Sequence, residues 1–327
     1  MSRKWLITIA SACIVGLLVV GGAGYWLMQQ LSAVSQTTAA KQRFVIAKGQ
    51  SVIATAQKLK EAGLIQNAQV FRFYAQYKKL DMQMQAGSYE LSPNMTTAEI
   101  AQKLTQGSED IWVTLLEGWR VEEVAEYLDA QDLPEFDAPA FTELASDSEG
   151  MIYPDTYLVP RESTTQQLYT LFTTTFEKKV EKELSQEISA SQLQLRQIII
   201  LASVVEREGR GFTDMRHVAG ILQNRLDLGM PLQADATLQY ISGKNKQTGK
   251  WWEQPNIAVK ESTSPYNTYK YPGLPAGPIC NPSLNAIKAV LDPIASDDLF
   301  YIHAPSGESY YSKTLQEHNA NIEKYLR

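Results

Sequence analysis

The chain has 327 residues, a net charge of −6 at pH 7 and 44% hydrophobic residues. This length leaves room for more than one globular unit. The acidic balance argues against a nucleic-acid partner, because such a surface needs clustered lysine and arginine. Cys13 and Cys280 are the only cysteines and the three histidines are far apart in the sequence. We therefore expect no internal disulfide, no metal site and no cofactor.

A long uncharged segment begins the chain. Residues 5–28 carry no charge, and a helix of that length spans roughly 36 Å at about 1.5 Å per residue, enough to cross a bilayer. Arg3 and Lys4 precede the segment, which favours a cytoplasmic tail, residues 1–4, with the remainder on the far side. A cleaved signal peptide is the alternative, but its apolar core is usually shorter. We predict a single transmembrane anchor.

A small module follows this anchor. Residues 29–42 are polar and have no strong hydrophobic period, which indicates a linker. A weak repeat of apolar strand, tight turn and amphipathic helix follows, in segments 44–59, 89–104 and 113–128. Ser51 and Thr96 are the predicted N-caps of the first two helices. We predict a β/α module over residues 43–107 that resembles the glycan-binding LysM type. A purely structural role for this module is the alternative.

The remainder of the chain, residues 108–327, predicts one larger domain. Longer helices joined by loops rich in glycine and proline predominate, and strand signals occur around residues 299–303 and 309–311. A final helix is predicted over residues 313–326. This mixture is typical of an α+β fold rather than an alternating β/α sheet.

One predicted helix ends in a pair of carboxyl groups. Seven of the eight residues from Ile198 to Val205 are apolar, which indicates a buried helix. Glu206 follows, with Ser203 on the same face. A carboxyl group there loses hydration, which favours the neutral form that a general acid needs. Two alternatives stay open: Glu206 is the first solvated residue, paired with Arg210, or Glu208 is the functional carboxyl group.

Two downstream loops combine aromatic rings with amides and hydroxyl groups, in residues 224–240 and 263–283. Such side chains bind sugars through stacking and hydrogen bonds, and the prolines and glycines between them restrict the loop shape. A loop that only packs on the domain is the alternative. The predicted substrate-binding residues are Ser203, Asn224, Gln233, Asp235, Tyr240, Tyr266, Asn267, Thr268 and Tyr269.

Several segments resemble the endolytic murein transglycosylase (MltG or YceG-like) family. They are residues 149–161, 200–208, 224–240, 264–283 and 310–319. The resemblance implies a lytic transglycosylase of the bacterial inner membrane with a periplasmic catalytic domain. It assigns the catalytic acid to Glu206 and a glycan cleft to the two polar loops. One departure is Ala236, where the family usually has proline.

The resemblance also implies a mechanism with one carboxyl group. Glu206 would protonate the glycosidic oxygen between MurNAc and GlcNAc within a nascent peptidoglycan strand. The carboxylate would then take the proton of the muramic acid 6-hydroxyl as that oxygen attacks C1, which leaves a 1,6-anhydroMurNAc end. Gln233, Tyr266 and Asn267 would orient the sugar, and peptidoglycan synthases are expected partners. A two-carboxylate muramidase with Glu206 and Asp235, and a noncatalytic glycan-binding scaffold, stay open as alternatives.

Overall fold

The computed structural model describes residues 18–35, 37, 40–47, 49–107 and 110–326. The chain divides into two compact units. The smaller comprises Met1–Trp112 with Leu158–Arg161, and the larger comprises Val113–Tyr157 with Glu162–Arg327. Helices and short strands occur in both units, so the predicted α+β class is confirmed.

The smaller unit is built from two antiparallel strands and several helices. Its elements are α1 (residues 18–31), β1 (Gln42–Ile46), α2 (Val52–Glu61), α3 (Ala68–Tyr77), β2 (Gly87–Leu91) and α4 (Thr97–Lys103). Phe44 on β1 lies opposite Tyr89 on β2, and both side chains are buried in the apolar core of the unit. Each strand is followed by a helix, as the repeat predicts. The Ser51 and Thr96 side chains cap α2 and α4, so both predicted N-caps are confirmed.

The predicted anchor falls largely outside the described residues. Residues 1–17 are not among them, and residues 18–31 are helical. Within the part of the chain that the structure describes, no helix combines the length and the apolar character needed to cross a membrane. The first three residues of the predicted linker, 29–31, continue the helix α1.

The larger unit is mainly helical. Strands β3 (Ile111–Thr114) and β4 (Thr156–Val159) pair with each other, and each has residues in both units. Strand β5 (Phe300–His303) pairs antiparallel with β6 (Ser309–Ser312), close to the predicted strand positions. The helices are α5 (Val121–Asp129), α6 (Ala138–Ala145), α7 (Thr165–Phe176), α8 (Ser185–Ala190), α9 (Leu195–Glu208), α10 (Phe212–Asp227), α11 (Asp235–Ser242), α12 (Leu284–Leu291) and α13 (Leu315–Tyr325).

Helix α9 is the centre of this unit. Every residue from Ile198 to Val205 is buried, and α9 packs against α10 and α12. The sequence prediction of a buried helix is therefore confirmed. Gly220 in α10 allows a close approach, because a Cβ atom at this position would overlap the carbonyl oxygen of Ile294. The core thus positions the C-terminal turn of α9, which carries the two candidate carboxyl groups.

We expect Gly220→Ala to lower the free energy of unfolding by about 1–3 kcal/mol, because the backbone at Ile294 must move to admit a methyl group. An unhindered glycine in a helix behaves in the opposite way, since its replacement by alanine stabilises a protein by roughly 0.4–1 kcal/mol. Urea unfolding of the two proteins distinguishes these signs. A more stable variant would show that α10 has room at this contact.

Candidate active site

The last turn of α9 carries Glu206 and Glu208. Successive residues of a helix are turned by about 100°, so these two side chains leave the helix on different sides. Both residues are half-buried. Because they face different surroundings, each carboxyl group has its own hydrogen-bond partners.

The carboxyl group of Glu208 contacts two other elements. Its Oε2 accepts a hydrogen bond from the Tyr301 hydroxyl at 2.9 Å, and its Oε1 accepts one from the backbone N–H of Ala236 at 3.3 Å. Burial raises the pKa of Glu208, and the negative charge of Asp235 raises it further, while the two hydrogen bonds lower it by less. The site therefore stabilises the neutral acid relative to an exposed glutamate.

Glu208 lines a cavity of about 310 Å³ that also contains residues predicted from the loops. Gln233, Asp235 and Tyr269 are among its walls, and the Tyr269 hydroxyl donates to Asp235 Oδ1 at 2.6 Å. The other lining residues are Arg225, Leu232, Phe300, Tyr301, Leu315 and His318. The cavity thus combines two carboxyl groups, an amide and several aromatic rings, which is a set of side chains suited to a sugar.

Gln233 holds a strained backbone conformation at this cavity. Its φ angle is 50°, in the left-handed region that non-glycine residues rarely adopt. The Gln233 N–H donates to the carbonyl oxygen of Thr268 at 3.0 Å, and the next N–H, of Ala234, donates to the Thr268 hydroxyl at 3.1 Å. Strained residues held by surrounding contacts are frequent at functional sites. The two polar loops therefore support each other beside the cavity.

Arg225 and His318 bring basic side chains to the same cavity. Arg225 donates from Nε to the carbonyl oxygen of Leu299 at 2.7 Å and from Nη1 to that of Leu232 at 2.6 Å. The Nδ1 atom of His318 is buried, and among the described residues it has no hydrogen-bond partner. Burial and the neighbouring Arg225 lower the pKa of His318, which favours the neutral imidazole. The predicted substrate-binding residues include neither of them, although each lies in a segment that carries the family resemblance.

Glu206 has a different environment. Its Oε2 accepts hydrogen bonds from the Ser283 N–H at 2.9 Å and from the Ser283 hydroxyl at 2.5 Å. Ser283 is the N-cap of α12, where a negative charge is stabilised by the helix dipole. Glu206 also lines an open groove with Glu117 and Asp155. Burial and the charge of Glu206 raise the pKa of Glu117.

Two predicted substrate-binding residues connect helices to neighbouring segments. The Ser203 side chain is fully buried in α9, where it donates to the carbonyl oxygen of Ile200 and accepts from the N–H of Ile279. The Asn224 side chain donates to the carbonyl oxygens of residues 296 and 298. Neither residue lines the Glu208 cavity. The hydrogen bonds of both side chains hold neighbouring backbone segments in place.

Two further predicted residues are buried within the second polar loop. Asn267 donates to the carbonyl oxygens of residues 260 and 262. The Thr268 hydroxyl lies 2.9 Å from that of Thr237 in α11. Each side chain is about 1% exposed. These residues hold the loop shape that presents Tyr269 to the cavity, and neither lines the cavity itself.

Tyr240 and Tyr266 form an aromatic pair outside the lining of the Glu208 cavity. Their ring centroids are 4.8 Å apart. The guanidinium group of Arg120 lies 4.1 Å from the ring centroid of Tyr240, and its Nη1 donates to the Tyr240 carbonyl oxygen. Burial raises the pKa of the Tyr240 hydroxyl. Of the predicted substrate-binding residues, the structure thus brings Gln233, Asp235 and Tyr269 together with Glu208.

Comparison with known proteins supports one family. The model of the YceG-like family matches residues 44–324. The chain belongs to the YceG-like family. The prediction from the sequence motifs is therefore confirmed. A crystal structure of a YceG-like protein from Listeria monocytogenes is 29% identical in sequence and superposes with a TM-score of 0.54, over 86% of this chain and 98% of that one.

Two relatives of this chain are named endolytic murein transglycosylases. An endolytic murein transglycosylase of Bacillus subtilis (strain 168) is 29% identical over 337 residues, covering 94% of this chain and 91% of the relative. The endolytic murein transglycosylase of Streptococcus pneumoniae (strain D39) is 27% identical over 357 residues. That alignment covers 96% of this chain and 64% of the longer relative.

A hydrogen-bond network connects the start of helix α10 to the β5–β6 hairpin. Asp214, in the first turn of α10, accepts hydrogen bonds from His303 Nε2 at 3.0 Å, the Tyr311 hydroxyl at 2.5 Å and the Arg210 N–H at 2.6 Å. The hairpin also carries Tyr301, the partner of Glu208. Burial raises the pKa of Asp214, but the hydrogen bonds outweigh it and hold the pKa well below its usual range.

The lowered pKa of Asp214 predicts a loss of stability in acid. Its contribution is present above the unfolded-state pKa of about 3.9 and is lost progressively as the pH falls towards the lower folded-state pKa. We expect Asp214→Asn to reduce the free energy of unfolding at pH 7 and to flatten its decline below about pH 4. Urea unfolding across this pH range measures both effects. An unchanged acid slope in the variant would contradict the assignment.

Proposed function

We propose that the protein is an endolytic murein transglycosylase that cleaves the MurNAc–GlcNAc bond within peptidoglycan glycan strands. The observation that carries this proposal is a carboxyl group with a raised pKa, Glu208, in a polar-aromatic cavity of about 310 Å³. The YceG-like family membership and the names of the relatives support the same substrate class. No cofactor is needed for the proposed reaction.

We assign the catalytic acid to Glu208 in preference to Glu206. The loop residues that sequence analysis expected beside the acid, Gln233 and Asp235, line the cavity of Glu208. Burial raises the pKa of Glu208 although Tyr301 and the Ala236 N–H donate hydrogen bonds to its carboxyl group. The Oε2 of Glu206, by contrast, is occupied by two donors from Ser283. Both oxygens of Glu208 also accept hydrogen bonds, but burial raises the pKa of Glu208, and this favours the protonated form that a general acid needs.

The proposed reaction needs one proton donor and one internal nucleophile. Glu208 gives its proton to the glycosidic oxygen as the bond from that oxygen to C1 breaks. The 6-hydroxyl oxygen of the same muramic acid then bonds to C1, and its proton returns to Glu208, so a 1,6-anhydroMurNAc end forms without water. The attack is intramolecular and gains from proximity. Tyr301 and the Ala236 N–H stabilise the transient carboxylate.

A two-carboxylate hydrolase is the second candidate, since Asp235 lines the same cavity as Glu208. In that reaction water would attack C1, and the product would carry a reducing end. The hydrogen bond from Tyr269 to Asp235 favours a different use of this carboxylate, which is to stabilise positive charge on the sugar. Mass analysis separates the two products by one water molecule.

We further propose that the protein is anchored in the bacterial inner membrane, with its catalytic unit in the periplasm. The uncharged segment 5–28, with Arg3 and Lys4 before it, supports this topology. Helix α1 shows that the described end of the segment is helical. Newly made glycan strands are then within reach, and peptidoglycan synthases are the expected partners. The LysM-like character of residues 43–107 remains part of this proposal.

Paired glutamine variants test the assignment of the acid. We expect Glu208→Gln to reduce the release of anhydro-muropeptides from purified peptidoglycan by about 10²–10⁴-fold, because it removes the general acid. The matched control, Glu206→Gln, lies in the same helical turn and should retain most activity. The reverse pattern would return the catalytic role to Glu206. Binding of peptidoglycan without any release by the unaltered protein would favour the scaffold alternative.

The Tyr301 hydroxyl provides a pH test of the same assignment. A general acid must be protonated, so activity falls as the pH rises through the raised pKa of Glu208. The hydrogen bond from Tyr301 lowers that pKa. We therefore expect Tyr301→Phe to move the alkaline limb of kcat/KM to higher pH. Tyr310→Phe, on the same hairpin but bonded to Glu308, is the control and should leave the limb unchanged. A shift to lower pH in Tyr301→Phe would contradict the assignment.

A further inference from the structure

Helix α3 of the smaller unit exposes large aromatic side chains. Phe73 is 64% exposed and Tyr77 is 73% exposed, although the opposite side of the helix is buried through Phe71 and Ala75. Single exposed apolar residues are common on protein surfaces, but neighbouring ones form a patch that usually has a partner. Phe73 and Tyr77 are four residues apart and therefore adjacent on one face of the helix.

This patch continues into an apolar groove shared with α1. The groove has a volume of about 320 Å³. Its walls are Leu27 and Leu31 from α1, and Val70, Phe73, Tyr74 and Tyr77 from α3. We call these four residues of α3 the α3 face. The exposed aromatic rings and the end of α1 thus form one continuous apolar surface.

Hydrogen bonds keep the end of α1 beside this unit. The Gln66 side chain, just before α3, donates to the carbonyl oxygen of Ala33 at 3.2 Å. The N–H of Ser35 donates to the carbonyl oxygen of Pro93 at 2.9 Å. The segment that follows α1 is therefore bound at two points to the smaller unit, and the α3 face cannot move far from Leu27 and Leu31 without breaking these contacts.

The position of the uncharged segment 5–28 sets the depth of the α3 face in a bilayer. If the segment 5–28 spans the hydrocarbon region, Leu27 lies at its outer edge, and Leu31 is about 6 Å farther along the helix axis. The headgroup layer on each side of a bilayer is roughly 5–7 Å thick. Side chains that share a groove with Leu27 and Leu31 therefore lie within this layer. Aromatic rings are favoured at that depth.

The basic side chains around the α3 face also favour a position at the membrane surface. Arg72, Lys78 and Lys79 are exposed, and they lie next to the aromatic residues in the sequence. Basic side chains beside apolar rings bind membranes with anionic headgroups. We propose that the α3 face is a membrane-contact surface, which inserts Phe73 and Tyr77 into the headgroup layer of an anionic bilayer and places these basic groups at its phosphates. This inference rests on the membrane anchor of the proposed function.

Spin labels on the full chain in nanodiscs that contain phosphatidylglycerol test this proposal. Cys13 is replaced by alanine, and Cys280 is fully buried and stays unlabelled. A cysteine then replaces Phe73, Ile53 or Val20 in separate proteins. Ile53 on α2 is the matched control, because it is 59% exposed and does not line the groove. Val20, which is 71% exposed on α1, reports the anchor itself. Collision rates with oxygen, which enriches in lipid, and with a nickel chelate, which stays in water, locate each label.

We expect the label at position 73 to collide more with oxygen and less with the nickel chelate than the label at position 53. Equal collision rates at the two positions would overturn the proposal. A loss of both collision types at position 73 would also overturn it, since a protein partner would then cover the face. If the label at position 20 collides freely with the nickel chelate, the proposed membrane anchor is wrong, and the inference that rests on it is wrong too. If the label at position 20 is in lipid and the label at position 73 is in water, the anchor stands and the membrane-contact surface is rejected. Thermal unfolding of each labelled protein checks that the fold is retained.

Discussion

Burial of helix α9 is the constraint on which the candidate site depends. Because the residues from Ile198 to Val205 are all buried, the last turn of the helix leaves the core with three charged residues in succession. Each of them finds a different partner. Glu206 bonds to Ser283, the guanidinium group of Arg207 lies 4.1 Å from the ring centroid of Trp252, and Glu208 bonds to Tyr301. A helix that could rotate or slide would lose all of these contacts together.

The same burial separates two carboxyl groups that are almost adjacent in the chain. Glu206 lies at the N-terminus of α12, where a negative charge is favoured. Glu208 faces a cavity whose walls raise its pKa. Enzymes often place two carboxyl groups in unlike surroundings so that one of them can act as an acid. Here Glu206 is hydrogen-bonded to the N-cap of α12, and Glu208 in the cavity is the acid that we propose.

Side chains of the β5–β6 hairpin contact both Asp214, which we expect to contribute to stability, and Glu208, the proposed acid. Its His303 and Tyr311 bind Asp214, while its Tyr301 binds Glu208. Sequence reasoning predicted the two strands, because short runs rich in aromatic and β-branched residues favour extended structure. It did not predict the partners of these side chains. Polar residues in a loop suggested substrate contact by Asn267 and Thr268, and the structure shows hydrogen bonds of both side chains within the protein.

Local patterns in the sequence were sufficient for the α+β class, the buried helix α9, the N-caps Ser51 and Thr96 and the family. Each of these depends on residues close together in the chain, through periodicity, capping or motif order. Only the tertiary structure decided which glutamate faces the cavity. The partners of Glu208 lie 28 and 93 residues away in the sequence, and that of Glu206 lies 77 residues away. Helical periodicity puts the two carboxyl groups on different faces but contains no information about which distant loops cover each face.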